Sequence, residues 1–228
     1  MSSDTGQPHT IQETEEENDL GVTIDRQLKF SKHVDKIVRK ANRTLGCLAH
    51  TFQYWNKESF LLLYKAMVRP ILEYASCVWS PHLKQDCNQL ERVQRRATRL
   101  VPELSGKTYP ERLQALELPT LSFRRMRTDH IQAYKIISGK DVFSQDTGSS
   151  SCPNSRMFEQ PLSTRTRGHS KKLQVKDATG PRKHFFSTRV IPLWNKLSES
   201  TVSAPTVIDF KIGLKKDLAR FDHFAYDF

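Results

Sequence analysis

Apolar residues recur every three, four or seven positions between Ser31 and Gln53, at Val34, Ile37, Val38, Ala41, Leu45, Leu48 and Phe52. That spacing predicts one long amphipathic helix, with Ser31 at its N-cap and Lys36, Arg39, Lys40 and Arg43 mostly off the apolar stripe. Just upstream, Leu20, Val22 and Ile24 alternate with Thr23 and Asp25, which reads as a strand leading into a turn. A second helix is predicted over Lys57–Arg69. It is apolar nearly all round and therefore central, and Pro70 either kinks or ends it. Ile71–Trp79 continues the buried character until Pro81.

A third helix covers about Gln85–Val101. Cys87, Leu90, Val93, Ala97 and Leu100 form its stripe, and Arg92, Arg95, Arg96 and Arg99 surround the exposed side. A short helix at Tyr109–Leu116 and a longer one at Thr120–Ser138 follow, the latter closed by Gly139 and carrying Arg124, Arg125 and Arg127. Residues 140–163 are rich in Ser, Gly and Pro and read as a linker. Beyond it comes a basic loop that includes Arg165, Arg167, Lys171 and Lys172. Two last helices are predicted, at Ser187–Leu197 and about Pro205–Phe221. The expected fold class is mainly α: a helical bundle preceded by a short β strand and followed by a smaller helical C-terminal module with a basic loop.

Charge adds a direction to this outline. The net charge of +11 is unevenly spread: residues 1–20 hold six acids and no Lys or Arg, so the rest of the chain is near +17. A body of that sign and size favours a polyanion, most simply nucleic acid, through phosphate neutralisation. The acidic head has few residues to bury and is expected to be a disordered tail over residues 1–19. It resembles neither a secretory signal nor a transit peptide, no apolar run is long enough to span a membrane, and a nuclear and a cytoplasmic location both stay open. Four cysteines without a CxxC pair argue against a zinc ribbon or a disulfide scaffold.

Catalytic chemistry is not apparent. Two-metal nucleotidyl transfer needs clustered carboxylates, and no Asp-Asp pair occurs. There is no Gly-rich phosphate loop, no GxSxG and no HExxH, and no cofactor is expected. The prominent feature is LERVQRRATRL, where Arg92, Arg95, Arg96 and Arg99 step by three and four and can form a ridge along a phosphate backbone. The plainer reading of that ridge is a solvated helix face. Trp55, Trp79 and Trp194 could stack on bases, but each sits among apolar residues that favour core packing.

The segments LGVTID with LKFSKHV, KANRTLGCL, YKAMVRPILEYASCVWSP, LERVQRRATRL, YPERLQALELPTLSFRRMRTD and FFSTRVIPLWNKL occur in that order from residue 20 to about 215. The series resembles the region after the catalytic palm in reverse transcriptases of non-long-terminal-repeat, LINE-type, jockey-like retrotransposons. The resemblance implies that Leu20, Gly21 and Val22 are a remnant of the primer-grip strand, within a palm remnant at 20–30. It implies a helical thumb at 31–104, a helical extension at 105–139, a linker at 140–163, and a basic loop with C-terminal helices at 164–228. Arg69, Arg92, Arg95, Arg96 and Arg99 match basic positions typical of the family.

The resemblance further implies a fragment of an RNA-directed DNA polymerase that lacks the aspartates which bind catalytic Mg²⁺. Its expected activity is gripping RNA or an RNA/DNA hybrid through phosphates, without catalysis. Its expected partners are that nucleic acid and, for synthesis, a palm-containing polymerase acting in trans. The competing expectation is a non-catalytic, domesticated or inert fragment of a mobile element that engages other proteins. A basic helical scaffold of unrelated ancestry is a further alternative, disfavoured by the motifs.

Overall fold

The computed structural model describes residues 13–141, 157–159, 161, 168–175 and 177–220. Most of the expected linker at 140–163 and residues 1–12 of the acidic head lie outside them. Strands β1 (Glu16–Asp19) and β2 (Val22–Asp25) pair antiparallel, with Asp19 opposite Val22. Their two-residue loop, Leu20 and Gly21, has positive φ at both positions (45° and 86°), the type I′ geometry that suits the right-handed twist of a hairpin. This corrects two expectations. Residues 16–19 of the acidic head form a strand, and Leu20 is an exposed turn residue instead of part of an apolar strand face. Of Leu20, Gly21 and Val22, the expected primer-grip remnant, only Val22 is buried.

Helix α1 runs Ser31–Thr51 and buries Val34, Ile37, Ala41, Leu45 and Leu48 of the predicted stripe, while Val38 is half-buried and Phe52, just past the helix, is exposed. Ser31 is not its cap. Phe30 holds that position in a left-handed conformation, and the Asp25 carboxylate accepts the N–H groups of Gln27, Lys29 and Phe30. The Ser31 hydroxyl donates instead to Asp86, 2.7 Å away.

Helix α2 (Lys57–Leu63) starts with a reciprocal cap between Asn56 and Ser59. It passes through a π-helical turn at Tyr64–Val68 into α3 (Arg69–Glu73). The wider turn lies immediately before Pro70, whose ring and missing N–H disrupt ordinary α-helical bonding. Ala75, at φ 51°, separates α3 from α4 (Ser76–Trp79). Helix α5 (Lys84–Ala97) then returns along α1. Contacts near both starts (Ser31 to Asp86) and further along (Asn42 to Arg96, 3.4 Å) show that α1 and α5 run parallel.

Helix α6 (Tyr109–Ala115) is capped by Thr108 and Glu111, and α7 (Leu121–Ile137) by Thr120. Further along the described residues come α8 (Phe186–Arg189), α9 (Ile191–Trp194), α10 (Glu199–Val202) and α11 (Val207–Arg220). The described residues are mainly helical, with one two-stranded sheet.

Two cores result. The first gathers α1–α6 around Trp79, Tyr64, Phe60, Leu72 and Leu90. The second packs Tyr134, Trp194, Phe210 and Leu214. Helix α7 belongs to both, with Leu121 in the first and Ala133, Tyr134 and Ile136 in the second. Arg189 ties the second core to α7 and α4: it makes a bidentate pair with Asp129 (2.9 and 3.0 Å) and donates to the Cys77 carbonyl (2.7 Å).

Candidate nucleic-acid interface

The inner face of α5 is polar as well as apolar. Gln94, fully buried, accepts from the Tyr64 hydroxyl (2.6 Å) and donates to Tyr109 Oη and the Pro119 carbonyl (both 3.1 Å). Glu91 accepts from the Tyr109 hydroxyl and from the Leu121 N–H (3.0 Å). Burial raises the Glu91 pKa, and these hydrogen bonds oppose the rise. Burial, followed by the neighbouring Glu91, also pushes both tyrosines upward. This clamp fixes the rotation of α5 about its axis. Composition could not reveal it, because Glu91 and Gln94 read as ordinary surface residues within a basic helix.

With that rotation fixed, Arg92, Arg95 and Arg96 lie on the exposed side of α5, and Arg99 is exposed on the 3-10 turn Thr98–Leu100 that ends the predicted helix short of Val101. Arg95 stacks over the Tyr109 ring at 4.8 Å, which orders its guanidinium at the surface. Arg96 reaches Asn42 of α1. At about 100° per residue, Arg39, Arg43, Lys36 and Lys40 lie roughly 60°, 100°, 120° and 160° round α1 from Asn42, across its solvent face. All four are exposed. The ridge on α5 therefore continues as a basic band across α1 toward the hairpin.

The other predicted positions separate from this set. Arg124 donates from Nε and from Nη2 (2.8 Å) to both oxygens of Glu73, and Arg69 lies 3.8 Å from the same carboxylate. These two arginines are engaged within the protein, joining α7 to α3, and leave the candidate interface. Arg125 is only 4% exposed, too buried to meet a nucleic acid. Its guanidinium lies near Cys87, Glu91 and Asp129, its pKa is lowered by burial, and its Nη1 has no hydrogen-bond partner. Arg127 is half-exposed on α7.

Lys171 and Lys172 are half-buried beside the second core, where the Lys171 carbonyl accepts from Trp194 Nε1 (2.8 Å). Arg165 and Arg167 lie outside the described residues. Trp79 and Trp194 are fully buried and Trp55 packs on Phe52 and Phe60, so these rings build the core.

Among the described residues no group of three or more His, Cys, Asp or Glu side chains could hold a metal ion. Cys77 hydrogen-bonds Asp129, and burial followed by that carboxylate pushes its thiol up to about 12. No helix of the described residues is long and apolar enough to cross a membrane.

The chain is 27% identical over 129 residues to an uncharacterized protein, B0403.1, of Caenorhabditis elegans. That match takes in 55% of this chain and 65% of the worm protein. No family profile and no solved structure matches the chain.

Proposed function

We propose that this chain is the hybrid-gripping part of a LINE-type reverse transcriptase, holding RNA or an RNA/DNA hybrid through its phosphates. The exposed row of Arg92, Arg95, Arg96 and Arg99 beside the basic face of α1 carries this reading. Guanidinium groups pair with phosphate oxygens in a forked geometry, and such pairs position a strand without reading its bases. The Glu91–Gln94 clamp keeps the row turned outward, and the Arg95–Tyr109 stack limits the side-chain entropy lost on binding. These residues grip and do not catalyse; polymerisation belongs to a palm acting in trans.

Changing all four arginines to Ala is expected to weaken RNA/DNA-hybrid affinity at low salt by at least tenfold, or about 1.4 kcal/mol, as phosphate pairing is removed. Unchanged affinity in a gel-shift or anisotropy titration would refute the ridge. Unaided extension of a primed RNA template by the purified protein would refute the non-catalytic part.

A further inference from the structure

A pocket of about 440 Å³ opens between the hairpin turn, α1 and α3, at the far end of the basic band. Its lining includes Lys36 and Lys40, one helical turn apart on α1, with Ile37 from the same helix and Ile71 and Tyr74 from α3 and its C-terminal end. Lys36 is steadied by Asn18 (3.4 Å) and Thr23 (3.3 Å). Lys40 is exposed, with no ion pair among the described residues.

The pocket wall also includes His33, which is 1% exposed. Its Nδ1 accepts the Thr23 N–H (3.2 Å), so the neutral ring carries its proton on Nε2. That Nε2–H is buried and has no acceptor. Buried donors normally find a partner, and one left over at a pocket wall is a reason to look for a ligand. Burial, and then the nearby Lys36, lower the pKa of this histidine.

We propose that this pocket binds a nucleoside phosphate, with the phosphate between Lys36 and Lys40 and the flat nucleoside against Tyr74 and Ile71. Two ammonium groups select an anion, while the half-exposed aromatic and aliphatic wall favours a ligand with an apolar plane over a bare ion. The same chemistry is offered by a free mononucleotide or by the phosphorylated end of a strand lying along the band. The second source rests on the proposed phosphate grip; the first does not.

The test uses the whole chain and four probes: AMP and inorganic phosphate by calorimetry, and 5′-phosphorylated and 5′-hydroxyl RNA of one sequence by anisotropy. Lys40→Ala is the variant of choice, because Lys40 is exposed while His33 sits in the core. Lys40→Glu is a second variant at the same surface site. The expected result is AMP binding tighter than inorganic phosphate, weakened about fivefold by Lys40→Ala and further by Lys40→Glu. The variant lacking Arg92, Arg95, Arg96 and Arg99 retains it. A preference for the 5′-phosphorylated strand that Lys40→Ala abolishes, without AMP binding, assigns the pocket to strand ends and also upholds it. Equal binding of AMP and phosphate, or neither AMP binding nor a 5′-phosphate preference, overturns the proposal. A ridge variant that leaves hybrid affinity intact while AMP still binds overturns the phosphate grip and spares the pocket.

Discussion

Arg124 shows how a basic residue is withdrawn from an interface. Its partner Glu73 lies 51 residues away in sequence, so nothing local to α7 announces the pair. Both side chains are under a quarter exposed, and the pairing is bidentate and charge-assisted. Arg124→Ala is expected to lower stability by about 2 kcal/mol in urea unfolding, because Glu73 loses its two best donors. Hybrid affinity should stay within twofold of the parent protein, whereas a tenfold loss would return Arg124 to the binding surface.

Histidine burial sets a pH dependence at the same scale. His33 and His130 both have pKa values lowered from 6.5, in each case chiefly by burial. The unfolded chain therefore takes up protons before the folded one as pH drops. Stability is full above about 6.5 and declines below it until the lower native values are reached. The urea midpoint is expected to fall between pH 7.5 and pH 5.5. A flat or rising midpoint over that window contradicts the neutral, buried assignment.

At the level of elements, the long helices could be read from periodicity. Helices α1, α5 and α7 each carry an apolar stripe long enough to define a face, and their ends fell within a few residues of the expected ones. Strand β1 could not be read, because Glu-Glu-Asn-Asp has low strand propensity and no apolar alternation. Its pairing is imposed by the Leu20–Gly21 turn and by β2. The π turn before Pro70 and the short helices α8–α10 depend on long-range packing that a local window does not contain.

The outward side of α5 was also readable, because four arginines flank one apolar stripe. The inward commitment of Arg69, Arg124 and Arg125 was not, because it depends on Glu73 and on the packing of α7 against the first core. The hairpin offers a direct test of the element account. Gly21→Ala keeps an ordinary 3.8 Å clearance to Tyr74 but forces a Cβ at φ 86°. It should cost about 1 kcal/mol in unfolding free energy, through backbone strain alone. A stabilising effect would contradict the type I′ turn.

Across the whole molecule, two cores share α7 and are held together by Arg189 on Asp129, while exposed basic side chains line the outer faces of α1 and α5. The body near +17 and the acidic head thus meet at the hairpin, where Glu16 pairs with Lys32 at 2.8 Å. The acidic strand lies close to the pocket end of the basic band and away from the Arg row, leaving the row open to a phosphate backbone. A grip of this kind depends on counterion release, so its strength must track salt in proportion to the phosphates neutralised.

The most direct measurement is the slope of log affinity against log salt for an RNA/DNA hybrid, in the parent protein and in the variant lacking Arg92, Arg95, Arg96 and Arg99. The account predicts a steep negative slope that becomes shallower by about 3 when the four charges are removed, at roughly 0.7–0.9 for each phosphate no longer neutralised. Identical slopes in the two proteins would contradict it.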